Sequence, residues 1–341
     1  MSTARRSTDP SVLVCDFSAE GHRGNYVRVL GQALGTPTLI ASFRAAFWSV
    51  LFAQVVLFTT FETAPGPILS LMVLRAVLRR PTRVMLLRPV IEGRNWRARV
   101  KKAMQMSLVR LPGVRVITIM PLDPASHLYG RTFFVRDPEY WDADADESPD
   151  PTPLSEAIRA AAGERKIMIA TGGIDPQKGM GLLADMMCAP DWPTGNLHVA
   201  IVGKTIGSGK ADVDRIAAEG GFVEDRYLSD QELFSLYGIA ACAWCCYPPD
   251  RDMSSGIFGR ARQYGVWPVV REGSMLDSEC RTGGFGTAIP WGQAERAATI
   301  LAAMVENSAG MTMKRSGADA AHEIAQLSAI MFDASPPLAG R

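Results

Sequence analysis

The stretch that decides the fold runs from Lys166 to Met187, KIMIATGGIDPQKGMGLLADMM. Lys166–Ala170 has the composition of a buried strand, Gly172-Gly173 is a tight turn, and Lys178-Gly179 opens an amphipathic helix. A strand that ends on glycines and feeds a helix is the first half of a βαβ unit. Its return strand lies parallel to the first in a sheet covered by helices. The first backbone amides of such a helix point into the turn, and Lys178 beside them makes a place for a phosphate. The segment alone is equally compatible with a solvated lysine after a turn.

The same alternation continues outward in both directions. Downstream, His198–Val202, Gly221–Val223, Ile239–Cys246, Pro268–Val270 and Thr287–Ile289 have strand composition, with helices expected from near Asp212, Asp230, Ser255 and Gln293. Upstream, Val12–Phe17, Gln54–Thr60, Arg83–Leu87, Arg115–Met120 and Thr132–Val135 alternate with helix-length segments. Between the two series lies DADADESPDPTP, residues 142–153, which is acidic, rich in proline and without apolar period. A chain of 341 residues exceeds what one core usually fills. The expected organisation is therefore an N-terminal domain over 1–141, a linker over 142–153, a C-terminal domain over 154–310, and a C-terminal helix and tail over 311–341.

A hydrophobic fraction of 47% with 21% charged residues excludes a disordered chain. The net charge of +1 hides an asymmetry, because residues 1–140 hold 19 lysines and arginines against 8 acids, whereas residues 141–341 hold 17 against 27. The first half, at +11, is suited to an anionic partner, and the sign alone does not separate nucleic acid from phospholipid. Of the six cysteines, Cys242, Cys245 and Cys246 fall in the apolar run Ile239–Tyr247 with no second pair at metal spacing, so they are expected to be reduced core thiols with no metal site. The longest apolar run, Ala45–Phe58, is interrupted by Ser49 and Gln54 and is shorter than the ~20 residues that span a bilayer. The polar start, Met1–Pro10, is followed by too few apolar residues for a signal-peptide core, and the expected location is cytoplasmic.

A second segment, Cys246 to Val270, CYPPDRDMSSGIFGRARQYGVWPVV, repeats the logic of the first. A strand ends, a Pro-Pro-Asp turn follows, and Ser254-Ser255-Gly256 caps a helix that Gly265 terminates. Two hydroxyls and a glycine at a helix start suit a diphosphate, and they suit an ordinary serine cap as well. The remaining phosphate-loop candidates fail. GKTIGSGK, residues 203–210, has its Gly-Lys one residue too far along and Ala211 where a Mg-binding hydroxyl belongs. No Gly-x-Gly-x-x-Gly follows a strand, which removes a dehydrogenase.

The order of these pieces resembles the C-terminal domain of retaining nucleotide-sugar glycosyltransferases of the GT-B fold, glycosyltransferase group 1 or family 4-like. The resemblance spans about 166–290. It rests on the Gly172-Gly173…Lys178-Gly179 loop, Ala200-Ile201-Val202-Gly203, the segment Tyr227 to Tyr237 (YLSDQELFSLY), Ser254-Ser255-Gly256, Ala261…Gly265…Pro268-Val269-Val270, and Gly283-Gly284-Phe285-Gly286. It implies an α/β protein of two Rossmann-like domains facing each other across a cleft. The donor would be held by Gly172, Gly173, Lys178, Gly203, Asp252, Ser254, Ser255 and Gly256. It also implies an acceptor-side loop, here Glu20, Gly21, His22, Arg23 and Gly24, in which His22 is the best histidine for the reacting sugar and is also compatible with a plain surface position. No metal or cofactor is implied beyond the nucleotide-sugar donor.

Two departures stand out. Gly173 occupies the position of the family's first phosphate arginine, and the paired glutamates fall on Asp252 and Arg260. Arg260 either supplies the missing phosphate charge or pairs with Asp252. The expected activity is transfer of a sugar, with Lys178, His22 and Arg260 as the catalytic set, to a glycan or lipid-linked acceptor in bacterial polysaccharide or glycolipid assembly. A non-catalytic homologue acting as a scaffold and a sugar-nucleotide epimerase are the alternatives.

The basic excess of the first half has a focus. Over residues 94–111, Trp96, Val100, Ala103, Met104, Leu108 and Leu111 recur at helical spacing, while Arg94, Arg97, Arg99, Lys101, Lys102 and Arg110 crowd the other side. Such a helix suits an anionic membrane surface at the inner face of the plasma membrane rather than nucleic acid, and its apolar stripe equally suits packing on the domain's own sheet.

Overall fold

The computed structural model describes residues 12–18, 23–87, 89, 96–120, 122, 126–138, 141, 149–252, 255–307, 313 and 318–332. Contacts gather the chain into two compact units, residues 1–142 with 318–341, and residues 143–317.

The first unit runs β1 (Val12–Asp16), α1 (Arg23–Leu34), β2 (Thr38–Ile40), α2 (Phe43–Phe52), β3 (Val55–Phe58), α3 (Pro65–Val77), β4 (Thr82–Leu86), α4 (Trp96–Leu108), β5 (Val114–Thr118) and β6 (Phe133–Phe134). Its six strands are parallel, in the order β2-β1-β3-β4-β5-β6. The short strand β2 has no apolar run and is absent from the sequence expectation. Strand residues alternate between two faces. Val14, Leu57, Met85 and Ile117 meet α1 on one face, and Cys15, Phe58, Val84 and Val116 meet α2, α3 and α4 on the other.

The first of these faces is completed by the last helix, α12 (Ala318–Phe332), through Leu327, Ile330 and Met331. Arg83, buried in β4, donates to the carbonyls of Ile330 and Met331 at 2.9 Å each, and Arg115 donates to Ile330 at 2.7 Å. Two guanidinium groups thus satisfy the negative end of the helix dipole and dock α12 on the sheet. Burial, and next to it the charge of Arg115, pushes the Arg83 pKa down to about 10.

The second unit runs α5 (Pro153–Ala162), β7 (Lys166–Thr171), α6 (Met180–Met187), β8 (Leu197–Val202), α7 (Lys210–Ala218), β9 (Phe222–Glu224), α8 (Asp230–Ile239), β10 (Cys242–Cys245), α9 (Gly256–Tyr264), β11 (Trp267–Arg271), α10 (Met275–Gly283), β12 (Thr287–Ile289) and α11 (Ala294–Glu306). Its parallel strands are ordered β12-β11-β10-β7-β8-β9. Both units are Rossmann-like, as the sequence pattern predicts. Cys242, Cys245, Cys246 and Cys280 lie in the core, where burial raises their thiol pKa values, those of Cys242 and Cys246 to about 12. Helix α8 begins with Ser229 and Glu232 capping each other's backbone amides, and Arg226 grips Glu232 through both terminal nitrogens. Helix α10, whose cap is Ser274, is a second element missing from the sequence expectation. Nine residues ending in Arg281-Thr282-Gly283 carry too few apolar positions to show a helical period.

Candidate functional site

In open parallel sheets a ligand binds where the strand order reverses, beyond the carboxyl ends of the two strands concerned. In the second unit those strands are β7 and β10, which pair directly while their successors run to opposite sides. The loop after β7 carries Gly172 to Gly179, and the loop after β10 carries Tyr247 to Ser255. The quoted KIMIATGGIDPQKGMG segment therefore stands at the reversal.

Three glycines let the loops come together. Gly172 has φ +88, and a Cβ on Gly203, at φ +148, would collide with the Gly172 carbonyl, so the loops after β7 and β8 touch backbone to backbone. Gly179, at φ +71, lies so close to the end of β10 that a Cβ there would strike the Cys246 carbonyl. The indole of Trp244 donates to the Lys178 carbonyl at 2.9 Å and fixes the short 3-10 turn Pro176–Lys178 from below.

Two cations result. The Lys178 ammonium sits 5.2 Å from the centre of the Tyr247 ring, half-buried, and burial followed by the nearby Arg251 charge lowers its pKa from the ordinary 10.5. Arg251 donates to both carboxylate oxygens of Asp175, at 3.1 and 3.3 Å, and to Gln177 at 2.6 Å. Its charge is thus delivered back across the gap to the loop that carries Lys178. The Tyr247 hydroxyl lies 2.5 Å from Ser255 Oγ, which accepts the Phe258 amide at 3.3 Å and caps α9. Two cations and a capped helix start at one sheet reversal suit a diphosphate.

Of the residues singled out from sequence, Gly172, Gly173, Lys178, Gly203 and Ser255 lie in the connections at the carboxyl end of this sheet, and Gly256 opens α9 there. Ser254 lies outside the described residues. Asp252 is occupied elsewhere: it accepts the Met275 amide at 3.0 and 3.2 Å, at the start of α10, and sits 3.5 Å from Arg271. Arg260 is buried in α9, donates to Gln263 at 2.6 Å and rests 5.1 Å over the Phe234 ring of α8. The Gln263 bond stays within α9, the Phe234 contact ties α9 to α8, and among the contacts described there is no ion pair to Asp252. Arg251, which the sequence reading does not name, stands at this reversal. The signal for it was its place: the β10 loop must face the β7 loop at the reversal, and Arg251 is the cation on it.

In the first unit the order reverses between β1 and β3. Glu20, Gly21 and His22 lie outside the described residues, and Arg23 and Gly24 open α1. The described part of this reversal carries an acid and hydroxyls. Asp16, at the end of β1, accepts from Thr59 Oγ1 at 2.5 Å and from the Ser18 amide at 3.1 Å, with Asp16 and Thr59 both buried. Next to Thr59, the buried Thr60 hydroxyl has no hydrogen-bond partner among the described residues. Sequence reading passed over this group as well, although an acid ending the first strand and a Thr-Thr pair ending the third were legible.

The basic helix expected over 94–111 is α4, and its two ends behave differently. Leu108 is buried and Met104 packs partly against the sheet core, whereas Trp96 and Val100 are exposed. The stripe therefore supports the domain with its C-terminal half and leaves its N-terminal half outside.

No protein-family model matches the chain, and no curated protein does. Solved structures match it over nearly its whole length. Anabaena Alr3699/HepE, solved with UDP and glucose, is similar at a TM-score of 0.66 and 11% identity, over 95% of this chain and 100% of that one. A sucrose-phosphate synthase from Thermosynechococcus elongatus is similar at 0.60 and 12%, over 94% and 95%. A putative UDP-N-acetylglucosamine 2-epimerase from Listeria monocytogenes is similar at 0.59 and 10%, over 96% and 98%. At these identities the likeness shows the fold, and that fold is the GT-B pair of Rossmann-like domains that the sequence resemblance implies.

Proposed function

We propose that this chain is a glycosyltransferase of the hexosyltransferase type that moves a sugar from a nucleoside diphosphate donor to a glycan or lipid-linked acceptor. The observation that carries the reading is the meeting of Lys178 and Arg251 beside the Ser255 cap of α9, at the reversal of the second sheet. As the glycosidic bond to the donor breaks, negative charge grows on the leaving diphosphate. Fixed cations and helix amides stabilise that charge more than they stabilise the bound donor, which lowers the barrier. Arg251 takes the phosphate role that the sequence assigned to Arg260 and that Gly173 vacates.

In this reading Lys178, the Arg251–Asp175 pair and the α9 amides hold the diphosphate without a divalent metal. Asp16 and Thr59, at the reversal of the first sheet, belong in this reading to the domain that takes the acceptor. The expected setting is polysaccharide or glycolipid assembly at the cytoplasmic face of a membrane. A panel of nucleoside diphosphates in a thermal-shift assay tests donor binding: a ligand at 100 times its Kd stabilises by ~2.7 kcal/mol. Product analysis of a matching sugar nucleotide then separates the alternatives. Transfer or hydrolysis, unaffected by EDTA, supports the reading; a changed sugar still on the nucleotide marks an epimerase, whose fold this chain shares; binding without turnover marks a scaffold.

A further inference from the structure

We infer that the α2–α3 face of the first unit is a docking surface for an anionic lipid bilayer. This inference places a partner that the sequence had put on α4 alone, and it stands independently of the transferase reading.

The outer stripe of α2 is Arg44, Trp48 and Phe52, one residue per turn, and the two rings stack at 5.8 Å between centroids with 6° between planes. Trp48 is 65% exposed, and Phe52 more than half. Beside it, the exposed face of α3 consists of Gly66, Pro67 and Ser70 followed by Val73, Leu74 and Val77, with Leu78 just past its end. That face carries no charged side chain at all, and Val77 is 76% exposed. A solvated helix face ordinarily carries charges, and a contiguous apolar patch of this kind marks an interaction surface.

The charge around the patch names the partner. Between Arg23 and Arg80 Glu62 is the one acid, half-buried before α3, whereas Arg44 begins the aromatic stripe and Arg79 and Arg80 end the α3 face. Arg80 lies 5.7 Å over the Phe52 ring. Arg79 has φ +55, the left-handed conformation after a helix end that glycine adopts without cost, and yet a long exposed cation stands there. An aromatic and aliphatic plateau flanked by arginines, in a segment with one half-buried acid, matches a layer of anionic headgroups over acyl chains, with tryptophan at the interface. A second copy of this chain would bring the same arginines against themselves.

Flotation of the full chain with phosphatidylglycerol-containing and pure phosphatidylcholine vesicles tests the surface. The parent is expected to float with the anionic vesicles at low salt and to be released at 1 M, where the screening length falls to ~3 Å. Val77→Glu should lower the bound fraction at least tenfold, Arg79→Gly severalfold with an unchanged or higher Tm, and Trp96→Ala less than twofold. A parent that stays soluble, a Val77→Glu protein that floats like the parent, or a Trp96→Ala loss as large as that of Val77→Glu overturns the assignment. So does a parent dimer that Val77→Glu dissolves without vesicle binding. Nucleoside diphosphate affinity, measured on the same proteins, should be unchanged in Val77→Glu, so failure of the donor reading is visible separately from failure of the docking surface.

Discussion

The two sheet reversals are built from opposite chemistry. In the second unit the strands β7 and β10 end on loops that deliver Lys178 and Arg251, in a half of the chain that is acidic overall. In the first unit β1 and β3 end on a carboxylate and hydroxyls, Asp16 with Thr59 and Thr60, in a half that is basic overall. The groups singled out at each reversal thus differ in sign from the half of the chain that carries them. Net charge speaks of what a domain meets at long range, whereas the few buried groups at the strand ends speak of what it binds.

The comparison breaks first, and most visibly, at Lys178. Lys178→Met should weaken binding of the cognate nucleoside diphosphate about a hundredfold, since a charge-assisted contact to phosphate is worth roughly 1.5–3 kcal/mol, and leave the nucleoside alone unaffected. Isothermal titration with both ligands checks it, and equal losses for the two would remove Lys178 from the phosphate. Arg251→Gln is the next step down. Its guanidinium is shared with Asp175 and Gln177, so about a tenfold loss of diphosphate affinity is expected, against less than twofold for Arg260→Gln if that variant keeps its fold. The reverse ranking would return the phosphate role to Arg260.

That pair also shows where sequence suffices and where it stops. The strands of both domains and the Lys178 loop were legible because buried parallel strands are continuous apolar runs and because glycine marks the turns. Strand β2 and helix α10 were not, since three residues, two of them exposed, and nine mostly polar ones leave no period. At the site, a motif register leaves Arg260 either on the phosphate or against Asp252, because the register counts residues along one helix. Whether a guanidinium turns toward a ligand or onto Phe234 depends on the neighbouring helix α8, which no count along α9 contains. Arg251 needed the opposite information, namely that the β7 and β10 loops face each other, and that follows only from strand order.

The first unit offers a smaller test of the comparison. Asp16→Asn keeps the shape of the side chain but sets an amide nitrogen against donors that the carboxylate now accepts, from Thr59 and Ser18. A cost of about 1 kcal/mol in chemical denaturation is expected. Nucleoside diphosphate affinity should stay within twofold of the parent, because the donor groups belong to the other unit. Donor affinity falling along with stability would mean that the two reversals do not bind separately.

The smallest expected effect is the one that ties stability to function. Lys178 is held below its ordinary pKa of 10.5 by burial and by Arg251, so the folded state binds that proton less tightly than the unfolded chain does. Stability linked to this group therefore rises with pH between the lowered folded value and 10.5, and the full penalty is present below that lowered value. Lys178→Met should then raise the Tm of the ligand-free protein at pH 7. The difference should shrink as pH rises and vanish well above 10.5, where the parent lysine is neutral in both states. Adding the diphosphate should reverse the order, since the ligand's charge offsets the cost in the parent and the methionine variant has nothing to offer it. A residue kept at a loss in the empty protein and repaid by an anion is the mark of a binding group. A methionine variant less stable than the parent at pH 7, with the deficit constant across pH, would make Lys178 a packing residue instead.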